Sequence, residues 1–140
     1  MDRILILGKW IFPLSFLLYV ALHLGKPDVG AEFVPKYLPF PYFWNYATLV
    51  CIVAFIVSAV IGKYDKLAYS LMALYVVLMA LLVHLPRALV GYELGAAGAM
   101  TSNPAREMEL EMLNVFRNIM VASALMGYAR FVAKDKAIIG

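Results

Sequence analysis

Residues 44–89 read WNYATLVCIVAFIVSAVIGKYDKLAYSLMALYVVLMALLVHLPRAL. Two apolar runs lie here, Trp44–Gly62 and Leu67–Leu89. Each is close to the roughly 20 residues that a helix rising about 1.5 Å per residue needs to cross a bilayer. The polar link Gly62-Lys63-Tyr64-Asp65-Lys66 is short enough to make them antiparallel neighbours. Working outward, an earlier apolar run covers Ile4–Gly25, interrupted by Lys9 and Pro13, and a later one covers about Met108–Val132. The pattern predicts an all-α fold: one integral membrane domain, residues 1–140, built as a transmembrane four-helix bundle with spans at about 4–25, 44–62, 67–89 and 108–132.

Composition agrees. The apolar share is 64% in only 140 residues, with a mean hydropathy of +0.83. Soluble domains sit near 45–50% apolar, and a chain this short has little interior in which to hide the excess. The surplus must face something other than water, and lipid is the obvious candidate. The net charge of +3 does not argue for nucleic acid, because most basic residues flank the apolar runs. Arg3 ahead of an apolar stretch resembles a secretory leader, but the run is too long and no small-x-small site precedes Gly25.

The basic residues also set orientation. Arg3, Lys63, Lys66, Arg130, Lys134 and Lys136 fall on one side, and Lys26, Lys36, Arg87 and Arg106 on the other. Lys9 and Arg117 fall within spans; Lys9 should snorkel to the interface. This bias places both termini in the cytoplasm. Residues 26–43 then form an outer loop carrying Pro27, Pro35, Pro39 and Pro41, and residues 91–102, rich in Gly and Ala, read as a mobile outer connection. Ser102-Asn103-Pro104 supplies a helix start before the fourth span. The aromatic residues around Trp44 fit an interfacial belt. The alternative, which can coexist with a belt, is a pocket mouth formed by Tyr37, Tyr42 and Trp44.

Polar groups inside spans are costly, so they carry most of the functional information. Glu107, Glu111, Asn114 and Asn118 repeat at spacings of 4, 3 and 4 and occupy a stripe of roughly 60° on the fourth helix. Arg117 lies beside it. The third helix adds His84 and Arg87 one turn apart, with Ala80, Val77 and Ala73 sharing the His84 face. Pro86 has no N–H and crowds the carbonyl of Leu82, so a bend is expected near His84, with Arg87 or Asn114 able to serve the freed carbonyl. His23 ends the first span at the same height. These residues predict one polar cluster in the outer half: His23, His84, Arg87, Glu107, Glu111, Asn114, Arg117 and Asn118.

Three readings of the cluster stand. The groups satisfy one another and lock the helices; they line a pocket for a small molecule, a lipid or a quinone head group; or they hold a metal or haem. The last is the weakest. The ExxH pattern of di-iron bundles and metal-ligand spacing within one helix are missing, and two histidines on different helices are the sole argument for haem. No nucleophilic triad is visible. Ser15, Ser58, Ser70 and Ser123 read as packing residues, and Cys51 as a small buried apolar side chain.

Three stretches resemble the DoxX family of small bacterial membrane proteins. Phe33-Val34-Pro35-Lys36-Tyr37-Leu38-Pro39-Phe40-Pro41 followed by Trp44 is similar to the family's outer loop. His84-Leu85-Pro86-Arg87 matches the HLPR signature ending its third helix. Glu111-Met112-Leu113-Asn114-Val115-Phe116-Arg117-Asn118 is similar to the opening of its fourth, where Arg117 and Asn118 stand in place of the usual Lys and Asp. That departure removes a carboxylate and weakens proton transfer there. The resemblance implies a multi-pass protein of the bacterial inner membrane. It also implies kinship with proteins of membrane-associated oxidoreductase assemblies, among them the DoxD subunits of thiosulfate:quinone oxidoreductase. It assigns no catalytic residue. The expected role is therefore an accessory or anchoring subunit of a quinone-linked redox complex, partnered by other membrane subunits. The alternative is a quinone-, lipid- or amphiphile-binding protein. An enzyme acting alone is less favoured.

Overall fold

The computed structural model describes residues 2–90, 104–135 and 137–139. The connection 91–103, with its Ser102-Asn103 cap, and Lys136 lie outside the described residues. Among those described, all regular structure is helical.

The first apolar run is two helices, α1 (Asp2–Ser15) and α2 (Leu17–Gly25), separated at Phe16. Pro13 supplies no N–H and displaces the carbonyl one turn back. The backbone re-forms through Phe16 N–H to the Pro13 carbonyl (3.3 Å) and Val20 N–H to the Phe16 carbonyl (3.1 Å). Pro27 opens a short α3 (Pro27–Glu32), and Pro41 opens α4 (Pro41–Ile61), each at a position where a missing N–H costs nothing. Gly62, with φ of 75°, ends α4, and Tyr64 turns the chain through a second left-handed residue (φ 55°) into α5 (Asp65–Met79).

α5 does not stop at Met79. It passes through a π-helical turn, Ala80–His84, into α6 (Leu85–Val90). Pro86 explains the slip. Its missing N–H leaves the Leu82 carbonyl without its normal partner, and the ladder widens, so Leu85 N–H reaches back to the Ala80 carbonyl. The freed carbonyl accepts from the Tyr37 hydroxyl at 3.3 Å. This corrects the expectation that Arg87 or Asn114 would serve it. Arg87 is turned instead toward α7 (Pro104–Phe131).

Paired contacts fix the register. Phe55–Tyr69 ring contact and the Thr48–Tyr75 hydroxyl pair (2.9 Å) set α4 antiparallel to α5. Tyr69–Tyr128 and His84–Glu111 set α5 antiparallel to α7. Phe16–Phe55 and His23–Asn45 do the same for α2 and α4. α1 is tied to α7 by the Tyr128 hydroxyl on the Gly8 carbonyl (2.7 Å) and by Phe12 stacked on Tyr128. Between these helices lies an apolar core of Phe16, Ile52, Phe55, Tyr69, Met72 and Leu125, with Ala73, Ala122 and Ala129 allowing close approach.

Three segments are long and apolar enough to cross a bilayer: Ile6–Gly25, Pro41–Ile61 and Asp65–Val90. Only 11%, 28% and 39% of their most apolar stretches are buried. Most of that surface therefore faces outward, as suits a helix that spans a membrane. α7 falls short by composition, since Arg106, Glu107, Glu109, Glu111, Arg117 and Arg130 lie along it. Three membrane-length apolar helices thus stand where the sequence reading expected four. Cys51 is exposed on α4 rather than buried. The α4 face opposite the core is apolar throughout and carries it outward.

Candidate functional site

The π turn and α6 carry His84 and Arg87 to one carboxylate on α7. Glu111 is only 2% exposed. Its Oε2 lies 2.7 Å from His84 Nδ1 and accepts from Asn114 Nδ2 at 3.3 Å, while Oε1 lies 3.0 Å from Arg87 Nε. The Arg87 contact is an ion pair by proximity, with its N–H poorly aimed along the Nε–O line. An ionised Glu111 accepts only, so the His84 tautomer that fits carries its proton on Nδ1. Phe33, at the end of α3, covers the site: the Arg87 guanidinium sits 4.7 Å from its ring centre, and the His84 ring 6.1 Å. His84 and Arg87 are buried. Glu107 is buried one turn before Glu111 and is engaged in contacts of its own.

The other expected members stand apart. Asn118 is half-buried and Arg117 exposed, and neither bonds to this group among the described residues. Asn118 shares Glu111's direction but lies about 10 Å farther along the axis. Arg117 points about 120° away from it. His23 joins Asn45 instead. Its Nδ1 is 2.5 Å from Asn45 Oδ1, and Asn45 Nδ2 donates to the His23 carbonyl at 3.1 Å. The sequence reading missed Asn45, although an amide two residues into an apolar run and level with His23 was the available signal. Gly30 of α3 lies against this pair so closely that no side chain fits.

The expected mouth is largely tied down. Tyr37 caps Leu82, Tyr42 donates to Asp28 Oδ1 at 2.6 Å, and Trp44 Nε1 donates to the Pro39 carbonyl at 3.0 Å. A shallow apolar depression does exist, but Phe40, Pro41, Tyr42 and Phe43 line it, so only Tyr42 of the three contributes.

Chemically, Glu111 is engaged at both oxygens, by His84 and Asn114 on Oε2 and by the Arg87 cation beside Oε1. The Arg87 cation beside it opposes a metal ion at the same carboxylate. His84 is held through Nδ1, and its other nitrogen makes no hydrogen bond among the described residues.

At the opposite end the sequence reading missed a second device. Asp65 is buried, and its carboxylate accepts from the backbone N–H of Lys66, Lys134 and Asp135 at 2.8–2.9 Å. Asp135 answers by accepting from Tyr64 N–H (2.7 Å) and Ala137 N–H (2.9 Å). The two aspartates clasp the chain after α7 to the α4–α5 turn. These amides hold the Asp135 carboxyl below the ordinary aspartate range. A group depressed in the folded state stabilises above its unfolded pKa and loses that contribution as pH falls through the folded one. Protection of the Tyr64 amide, taken relative to its intrinsic exchange rate at each pH, should therefore hold down to about pH 3.9, the usual aspartate value, and fall below it. Asp135→Asn should exchange fast already at pH 7; a protected amide in that variant would refute the clasp.

No model of a known protein family matches the chain, and neither a curated protein nor a solved structure matches it.

Proposed function

We propose that the chain is a multi-pass protein of the bacterial inner membrane. On this reading it is a four-helix transmembrane bundle with cytoplasmic termini and serves as a non-catalytic accessory or anchoring subunit of a quinone-linked redox assembly. The observation that carries the fourth crossing is the division of α7. Glu107 and Glu111 are buried, whereas Leu110, Leu113, Phe116, Ile119 and Met120 are exposed. A helix that turns Glu107 and Glu111 inward and these apolar side chains outward can face lipid despite its low mean hydropathy, although Glu109 and Arg117 are exposed on it. The redox setting rests on the DoxX resemblance, and the non-catalytic role on a cluster whose carboxylate is already engaged by His84, Arg87 and Asn114. Extraction in mild detergent should bring down stoichiometric redox subunits, and a clean lone species would overturn the subunit reading. A second reading, binding of a quinone or other amphiphile, is favoured by the unengaged nitrogen of His84. It expects a retained quinone in the native mass spectrum that disappears on His84→Ala.

A further inference from the structure

The α5–α7 seam is open to the outside along a groove lined by Lys66, Ser70, Ala73, Leu74, Val77, Met126, Ala129 and Arg130. Its volume is about 450 Å³, within the roughly 300–1,000 Å³ of small-ligand sites. The two cations sit together at one end. Asp65 faces Lys134 and Tyr69 faces Tyr128, and this register sets Lys66 opposite Arg130 across the groove. Beyond Ser70 the lining is wholly apolar. From Lys66 to Val77 the helix advances about 16 Å, close to half of a ~30 Å hydrocarbon core.

Neither cation has an ion-pair partner among the described residues. The nearest acids are unavailable to them. Asp65 is buried under three backbone amides, and Asp135 is engaged by two. Two uncompensated cations at the rim of an apolar furrow one leaflet long call for an amphiphile with an anionic head and a hydrocarbon tail. We propose that this groove is a binding site for an anionic phospholipid of the leaflet in which α5 begins and α7 ends. The phosphate sits between Lys66 and Arg130, and one acyl chain lies over Ala73, Leu74 and Val77 against Met126. The site is separate from the Glu111 cluster and rests on the membrane reading of the fold, but not on the redox assignment.

The test is native mass spectrometry of the full chain released from nanodiscs of phosphatidylglycerol mixed with phosphatidylcholine. Wild-type protein should retain phosphatidylglycerol selectively. Lys66→Gln with Arg130→Gln should lower that affinity roughly thirtyfold, equivalent to about 1 kcal/mol for each of two cations. Lys66→Arg with Arg130→Lys should keep it, which separates lost charge from lost fold. Lys26→Gln, at the opposite end, should leave it unchanged. Equal retention of the two lipids, or an unaffected double Gln variant, would overturn the site. Displacement of the lipid by millimolar inorganic phosphate would reassign it to free phosphate and overturn the lipid claim. A chain released from membranes by carbonate wash would instead overturn the membrane reading itself.

Discussion

Glu111→Leu should leave almost no folded protein, and Arg87→Leu should be damaged less. Both changes remove one member of a buried pair, which costs about 3–5 kcal/mol because the remaining charge stays in a poor dielectric. Total stability of a domain is only about 5–15 kcal/mol, so either loss is severe. The order follows from proton chemistry. Without Arg87, the Glu111 carboxylate keeps His84 at 2.7 Å and Asn114 at 3.3 Å. It has a further escape, since a carboxylate can take up a proton and neutralise itself. Without Glu111, the Arg87 guanidinium cannot shed its proton. It remains a cation, only 5% exposed, behind the Phe33 ring. Glu111→Gln, which keeps an acceptor of the same shape, should fall between Glu111→Leu and wild type. The double Arg87→Leu, Glu111→Leu variant should be more stable than Glu111→Leu alone, because it also removes the buried cation that has lost this carboxylate. Monodisperse yield and thermal unfolding in detergent read all four. Wild-type stability of Glu111→Leu would mean that Arg87 reaches water or lipid head groups rather than a buried partner.

Much of the fold was legible because the membrane imposes a simple rule: long apolar runs become helices. The helices at 41–61 and 65–90 lie within three residues of the expected spans. The chain direction at Gly62–Lys66 could be read from its length alone. Of the site, His84, Arg87, Glu111 and Asn114 were recoverable from helical spacing, since 84 with 87 and 111 with 114 must share a face. Distance along the axis is what spacing does not report. Asn118 has the right direction and the wrong depth, and His23 has the right depth but sits on a helix that faces α4. Pairings set by loops were equally hidden. Tyr37 reaches Leu82 and Asp65 reaches Lys134 only because the intervening chain folds back, and no local pattern encodes that return. The π turn was half legible: Pro86 announced a disturbed ladder but not the form the repair would take.

The roof over the cluster depends on a glycine, and Gly30→Ala should open it. A Cβ at Gly30 would fall 1.8 Å from Asn45 Oδ1, 2.8 Å from Asn45 Cγ and 3.0 Å from His23 Nδ1. A surface amide would swing aside at little cost. Asn45 cannot, because it is 1% exposed and both ends of its amide are bonded to His23. Either those two hydrogen bonds break, at about 1 kcal/mol each, or α3 lifts from α2 and α4. Alanine recovers at most about 1 kcal/mol through its better helix propensity, so the net change should be a loss of roughly 1–2 kcal/mol. Gly127→Ala is the matched control. Nothing lies within 4 Å of its Cβ position, and it should be neutral or slightly stabilising. Lifting α3 also withdraws Phe33, which follows it directly and screens Arg87 and His84. The loss in melting temperature should therefore come with faster hydrogen exchange at the His84 ring, followed by mass spectrometry. Asn45→Ala placed in the Gly30→Ala background should restore the slow exchange by vacating the space the new methyl needs. If Gly30→Ala behaves like Gly127→Ala in both readouts, α3 is not seated on His23 and Asn45, and the cover over Glu111 must come from elsewhere.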